Sequence, residues 1–407
     1  MITVEEIRAR FPQLSAKVYG KPLVYLDNAA TSLRPREVIE KWDRMSSQLS
    51  SNLHRAVHST ANRATEEFEN ARSAAAAFIG AGSENEIVFT SGATHGLNLL
   101  AFCLGELPGF LSEGDEILIG EAEHHSNILP WQFLAERKSL KIKVLPVDEN
   151  GCLQLGELPR LVSGRTRIAA FAHVSNVLGI VNPVREICSY CREKGVITVV
   201  DGAQGVVHCP VNVKESGADF YVFSGHKIYA APGTGVLWGR KDLLDSMPPY
   251  MGGGEMIDTV KWEGSTFAPV PRKFEAGTQN MAGTPTLKEA FECAVQMREC
   301  IEAEKVKEYL SEALTEIPGL RLFGVPASPA DKIPLFSFAV DGAHHEDLAL
   351  ILDKMGIAVR SGQMCAEPLM DRYGVTGMLR ASFAPYNSLQ EAEYFMKCLK
   401  KAISMLR

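Results

Sequence analysis

Residues Asp219 to Gly239 read DFYVFSGHKIYAAPGTGVLWG, and the punctuation of that stretch decides the fold. The apolar run Phe220-Tyr221-Val222-Phe223 breaks at Ser224-Gly225-His226-Lys227, and after a Gly/Pro turn a second apolar run extends from Gly235 to Trp238. Short apolar runs bounded by turn residues are the pattern of buried strands, so the stretch predicts two strands flanking a site, with Lys227 at its mouth. A lysine held between apolar strands and beside a histidine loses solvation. That lowers its pKa and makes the neutral amine available for a Schiff base. A lone loop lysine is ordinarily a solvated one; what sets Lys227 apart is its company.

Upstream, VITVVDGAQG (Val196 to Gly205) is another buried strand, and it ends on Asp201. A carboxylate at the carboxyl end of a parallel strand lies on the rim where open α/β sheets bind ligands. Lysine and aspartate one crossover apart are the pair that pyridoxal phosphate requires, the first on its aldehyde and the second on its pyridinium nitrogen. The apolar runs EIVFT (Glu86 to Thr90), EILIG (Glu116 to Gly120) and RIAAFAH (Arg167 to His173) alternate with helical patterns, which indicates right-handed βαβ crossovers and a mostly parallel sheet. The expected architecture is α/β: a large domain over residues 16–290 with helices on both faces of its sheet, and a smaller α/β domain over 291–407. A helix within residues 1–15, capped by Thr3, is expected to pack with the smaller domain. One long helix is expected from about Pro285, with Ala290, Ala294, Met297 and Ile301 at helical spacing.

Composition narrows the partners. A formal net charge of −7 with no basic block argues against nucleic acid or an anionic membrane surface. The first residues, MITVEEIRARFPQL, mix charges with apolar residues and contain no secretory h-region; no apolar run approaches the ~18 residues of a membrane span. A cytoplasmic location is the expectation. Nine scattered cysteines are an odd number and no disulfide framework. Cys188-x-x-Cys191 has the spacing of a metal knuckle but no second pair, and it lies in a helical pattern, so two thiols on a buried helix face are expected.

With Lys227, Asp201 and the small-residue turn Ser91-Gly92-Ala93-Thr94 in place, the sequence from about Tyr25 to Tyr386 resembles the fold-type I pyridoxal phosphate enzymes. Within them it resembles the class V aminotransferase branch that holds the cysteine desulfurases. The turn opens a helix whose free N–H groups suit a phosphate. The resemblance implies that the cofactor is bound by Lys227, Asp201, Gln204, Asn176, Ala93, Thr94, Ser224 and His226. It also implies that His124 stacks on the ring and handles protons, and that Thr278 reaches the neighbouring subunit's phosphate in a homodimer. Arg380 is the implied clamp on the substrate α-carboxylate, a task suited to the guanidinium fork. Asn28, Ala30, Asn176, Arg360 and Arg55 are its further implied neighbours.

Cys365 lies in the loop Arg360-Ser361-Gly362-Gln363-Met364-Cys365-Ala366-Glu367-Pro368, polar and glycine-containing, where desulfurases of the SufS and CsdA type carry the sulfur-accepting thiol. Many relatives read His-His before that cysteine; here Gln363-Met364 stand there. The resemblance therefore implies removal of sulfur from L-cysteine, giving alanine and a persulfide on Cys365, with Lys227 and His124 moving protons. The sulfur then passes to an acceptor protein for iron-sulfur cluster assembly or another sulfur-transfer pathway. The rival activities are selenocysteine lyase, acting on L-selenocysteine, and an aminotransferase. A pyridoxal-phosphate-binding regulator would need a DNA-binding domain ahead of the fold, and the ~20 residues before Leu23 are too few for one.

Overall fold

The computed structural model describes residues 2–407. Its centre is a seven-stranded sheet in the order Ile87–Thr90, Gly235–Gly239, Phe220–Ser224, Ile197–Asp201, Thr166–Ala172, Glu116–Gly120, Lys141–Leu145. Every neighbouring pair is parallel except those made by Gly235–Gly239, which runs antiparallel to both its neighbours. The apolar runs are continuous because both faces are covered. Phe220 and Val222 point into one apolar layer, together with Leu97 and Trp131 from the helices Ala93–Gly105 and Leu129–Lys138. Tyr221 and Phe223 point into the other layer, with Phe68, Ile187 and Phe291 from Ser59–Phe78, Val184–Glu193 and Thr286–Met297. Period-two alternation across a sheet buried on both sides thus reads as unbroken hydrophobicity.

A second, antiparallel sheet has the order Leu320–Phe323, Leu335–Val340, Met378–Ser382, Arg360–Gly362. The helices Glu302–Ala313, His345–Lys354 and Leu389–Leu406 share its core, which includes Phe336, Phe338, Leu310, Leu352 and Phe395. Val24 and Leu26, from the start of the chain, sit in this same core. Val24–Tyr25 pairs in parallel with Ile357–Ala358, and Asp27 bridges to Ser382. This edge of the smaller sheet is therefore stitched from both ends of the sequence.

The first helix, Val4–Ala9, has the expected Thr3 cap, as a full capping box with Glu6. From this helix Arg8 pairs with Glu391, and just beyond it Arg10 reaches Cys293 and Gln296 while Phe11 packs on Tyr229 and Tyr386. The long helix expected from Pro285 is two, Thr286–Met297 and Glu302–Ala313, with a break that leaves Ile301 exposed. Cys188 and Cys191 are buried on the helix Val184–Glu193. The Gly/Pro-rich stretch from Met251 to Thr278 contains a hairpin, Ile257–Lys261 with Gly264–Phe267, on which Val260 and Trp262 are exposed. No helix among the described residues is long and apolar enough to cross a membrane.

Candidate active site

The carboxyl ends of the parallel strands open onto a cavity of about 440 Å³ lined by Asp201, Lys227, His124, Asn176, Arg380 and Cys365, among others. Each of these arrives by a local device. Asp201 is the last residue of its strand, and its Oδ1 accepts the Ala203 N–H at 2.9 Å. Lys227 closes the short 3-10 turn Gly225–Lys227 between two buried strands. Burial lowers the Lys227 ammonium pKa and raises that of the Asp201 carboxyl, and each opposes the shift of the other by attraction. Arg380 on Met378–Ser382 adds to the lowering at Lys227. The amine is thereby moved toward the free base that carbonyl chemistry needs.

His124 faces the cavity from the end of Glu116–Gly120. Its Nδ1 accepts the Ser126 N–H at 3.0 Å, which places the ring proton on Nε2. Burial, then the charges of Lys227, His125 and Arg380, lower its pKa to about 4, so at neutral pH it is a neutral N–H donor. His226, pushed down to about 4 by burial and Lys227, meets Thr31 Oγ1 through Nδ1 at 3.2 Å.

One wall is built to receive an anion. The helix Ala93–Gly105 starts at Gly92, whose φ of 150° an L side chain rarely adopts, and a methyl group added at Gly235 would stand 2.5 Å from Gly92 Cα. Ala93 N donates to Ser224 Oγ at 2.8 Å, and Thr94 Oγ1 lies 2.8 Å from Ser126 Oγ. No hydrogen bond among the described residues uses the Thr94 N–H. A tight glycine turn, a helix N-terminus and a ring of hydroxyls suit a phosphate. With Lys227 and Asp201 elsewhere on the same wall, the residues present fit pyridoxal phosphate.

The chain matches the Aminotransferase class-V family over residues 24–395. It is 44% identical to a probable cysteine desulfurase of Vibrio cholerae, covering 100% of both chains. It is 41% identical to a cysteine desulfurase of Pectobacterium carotovorum subsp. carotovorum, covering 99% of this chain and 98% of the other. Among solved structures, the cysteine desulfurase CsdA of Escherichia coli, in an S-sulfonic acid form, superposes with a TM-score of 0.91 at 36% identity, covering 100% of each chain. An apo cysteine desulfurase of Thermococcus onnurineus NA1 superposes at 0.94 and 36% identity, covering 100% of this chain and 99% of that one. This chain belongs to the class V aminotransferase family. Its α/β fold is the fold of the family's cysteine desulfurases.

In this class V chain Ala30, Ala93, Thr94, Ser224, His226 and Arg360 line the cavity together with the residues already described. Three expected residues do not, and Thr278, which the resemblance assigns to a neighbouring subunit's phosphate, lies elsewhere as well. Asn28 is turned away, its Nδ2 donating to Ser382 O at 2.7 Å and its Oδ1 accepting from the Tyr386 hydroxyl, so it buttresses the rim and does not line the cavity. Gln204 is buried behind the wall and donates to Ala29 O at 2.7 Å. Arg55 pairs with Glu255 at 3.1 Å outside the cavity. Thr278 lies in a separate cavity with His95 and Ser91.

Asp27, in the segment Asp27 to Ser32 that the resemblance sets beside the substrate carboxylate, has no role of its own in the sequence reading. It lines the cavity and takes Arg380 Nη2 on Oδ1 at 3.1 Å, with Arg360 Nη1 3.9 Å from its other oxygen. Its position two residues past the strand Val24–Tyr25 was the available signal, by the same rule that picked out Asp201. Met364 and Cys365 are consecutive residues with positive φ, 55° and 56°. The carbonyl of Cys365 accepts the His125 N–H at 2.7 Å, and His125 Nε2 accepts the Glu367 N–H at 3.1 Å. His125 thus holds the cysteine loop while His124 faces the cavity.

Proposed function

We propose that this chain is a cysteine desulfurase, which takes sulfur from L-cysteine and leaves L-alanine and a persulfide on Cys365. The observation that carries the reading is that Cys365 lines the same cavity as Lys227, Asp201 and Arg380. A plain aminotransferase has no use for a thiol there.

Pyridoxal phosphate, when bound, supplies an electron sink for charge developing at the substrate Cα. Lys227 would hold its aldehyde end and Asp201 its ring nitrogen, with Asn176 at the phenolic oxygen and His124 against the ring. Ala93, Thr94, Ser224 and His226 would surround the phosphate, and Gln204 acts through Ala29. Arg380 holds the substrate carboxylate by its guanidinium fork. The Lys227 amine, with its lowered pKa, takes the Cα proton. The Cys365 thiolate attacks the substrate sulfur, so that the new S–S bond forms as the substrate C–S bond breaks. His124, neutral with its proton on Nε2, faces that step as a hydrogen-bond donor.

The division into a large domain over residues 16–290 and a small one over 291–407 belongs to the same reading. So does a homodimer, supported by the exposed hairpin with Trp262 and by Thr278 lining a different cavity from the one that holds Lys227. The nine free cysteines accord with a reducing, cytoplasmic setting and with a persulfide that is passed to an acceptor protein. Anaerobic incubation of the purified protein with L-cysteine and a dithiol reductant, which releases persulfide sulfur as sulfide, tests the function when sulfide and alanine are assayed together: equal amounts of both are expected. Borohydride treatment of the yellow protein should leave a pyridoxyl group on Lys227, and a colourless protein that takes up no pyridoxal phosphate would end the reading.

A further inference from the structure

Four consecutive carbonyls after the strand Thr166–Ala172 are each taken by a different donor from the side of the antiparallel sheet. Asn176 O accepts from Arg380 Nη1 at 2.8 Å, Val177 O from Ser337 Oγ at 2.5 Å, Leu178 O from Lys332 Nζ at 2.5 Å, and Gly179 O from Ile333 N at 2.9 Å. Ser337 and Arg380 are direct cross-strand partners, so their side chains leave one face of the sheet side by side and grip adjacent carbonyls. Lys332 also donates to Gly324 O at 2.7 Å. The fit is close: a methyl group at Gly179, whose φ is 65°, would stand 3.0 Å from Leu335 O. All four loop residues are buried, so water is not the alternative partner for these carbonyls.

The loop meets the cavity through the side chain of Asn176, whose Nδ2 donates to Met364 O at 2.9 Å. That carbonyl belongs to the peptide bond preceding Cys365. Met364 and Cys365 both hold left-handed backbone, a state that side-chain-bearing residues keep only where surrounding contacts over-determine it. A continuous path of hydrogen bonds and backbone thus joins Ser337 and Lys332, through carbonyls 177 and 178 and Asn176, to the nucleophile's loop.

We propose that Ser337 and Lys332 are positioning residues for the sulfur-transfer step, setting the place of Cys365 through Asn176 without touching substrate or cofactor. This rests on the functional reading above. Removing either donor leaves a buried carbonyl unpaired, which shifts the loop and releases Asn176 from Met364 O. Arg380 keeps its bond to Asp27, which holds the guanidinium at the cavity, so carboxylate binding is spared while attack on sulfur slows.

The test uses full-length holoenzyme carrying Ser337→Ala, Lys332→Met or the conservative Ser337→Thr, with Leu399→Ala as a control cavity in the antiparallel sheet's core. Hydrogen exchange is followed by mass spectrometry on peptides spanning 175–180 and 361–367, beside steady-state kinetics with L-cysteine. In Ser337→Ala and Lys332→Met both peptides should exchange roughly tenfold faster, and kcat should fall roughly tenfold with KM within about twofold, the scale of one lost buried hydrogen bond. Ser337→Thr should restore both readouts, and Leu399→Ala should lower the melting temperature while moving neither. Faster exchange confined to 175–180, or equal effects from Leu399→Ala, would overturn the proposal. Should Ser337→Ala not accumulate as folded protein, Lys332→Met is judged by the same outcomes. A wild type that does not turn over cysteine refutes the desulfurase reading, whereas the paired exchange of the two peptides still decides whether the coupling exists.

Discussion

Arg380 and Asp27, 353 residues apart in sequence, face each other across the cavity at 3.1 Å. The guanidinium proposed to hold the substrate's carboxylate therefore already has a carboxylate of its own. Burial raises the Asp27 carboxyl pKa against the pull of Arg380, so the pair is held in place at some desolvation cost.

Asp27→Asn keeps an oxygen for Arg380 but removes a negative charge that competes with the incoming carboxylate. KM for cysteine should fall roughly five- to tenfold, corresponding to about 1 kcal/mol of like-charge repulsion in a largely buried site open to the cavity. Steady-state kinetics at low and high salt measure this. A rise in KM would mean that Asp27 serves only to hold Arg380 in position.

Cys365→Ser leaves Lys227, Asp201 and Arg380 untouched, so cofactor binding and the spectral change on adding cysteine should persist. Turnover should fall by roughly 100-fold or more, because a hydroxyl at neutral pH is a far weaker nucleophile than a thiolate. Mass spectrometry of wild type after cysteine should find the added sulfur on the peptide containing Cys365. Sulfur mainly on another cysteine, or full turnover by the variant, would assign the chain to lyase or transaminase chemistry.

The His173 ring, paired through Nδ1 with the Tyr221 hydroxyl at 2.8 Å, is pushed down to about 4 by burial. Its folded pKa lies below the unfolded value of about 6.5, so between those limits the unfolded state binds more protons and stability falls as pH drops. His173→Gln lacks this dependence. The stability advantage of wild type over the variant should therefore shrink by about 3 kcal/mol from pH 7.5 to 4, most of it below pH 6.5. Denaturant melts of both proteins across that range supply the comparison, and a pH-independent gap would exclude His173 as the titrating group.

Trp262 is fully exposed at the tip of the Ile257–Phe267 hairpin, with Val260 exposed beside it. If this hairpin and Thr278 meet a second copy of the chain, Trp262→Ser should weaken the dimer and loosen cofactor retention together. Light scattering beside absorbance reads both. A monomeric wild type that retains its cofactor tightly would count against shared sites.

The strands around Lys227 and Asp201 were legible because a sheet covered on both faces writes itself as apolar runs ending in turn residues. Their rim positions then followed from the α/β rule. What was not legible is pairing at a distance. Nothing local tells that Gly235–Gly239 runs antiparallel, that Asn28 turns toward Ser382, or that Asp27 meets Arg380. The break before Glu302 escaped notice because Ile301 continues the helical spacing of Ala294 and Met297 although its side chain is exposed. Arg55 and Thr278 were placed by resemblance, and within one chain neither reaches the cavity.

The parallel pairing of Val24–Tyr25 with Ile357–Ala358 fixes an order of assembly. During synthesis the first strand leaves the ribosome long before its partner exists, so it must wait, unpaired, for almost the entire chain to be made. Asp27 likewise waits for Arg380. The large sheet can form early, as domains do when they emerge, but the rim that carries Asp27 and Arg380 closes only near the end of translation. A polypeptide truncated before Ile357 would thus keep Lys227 and Asp201 yet lack Arg380 and Cys365, which delays reactive-sulfur chemistry until the chain is complete.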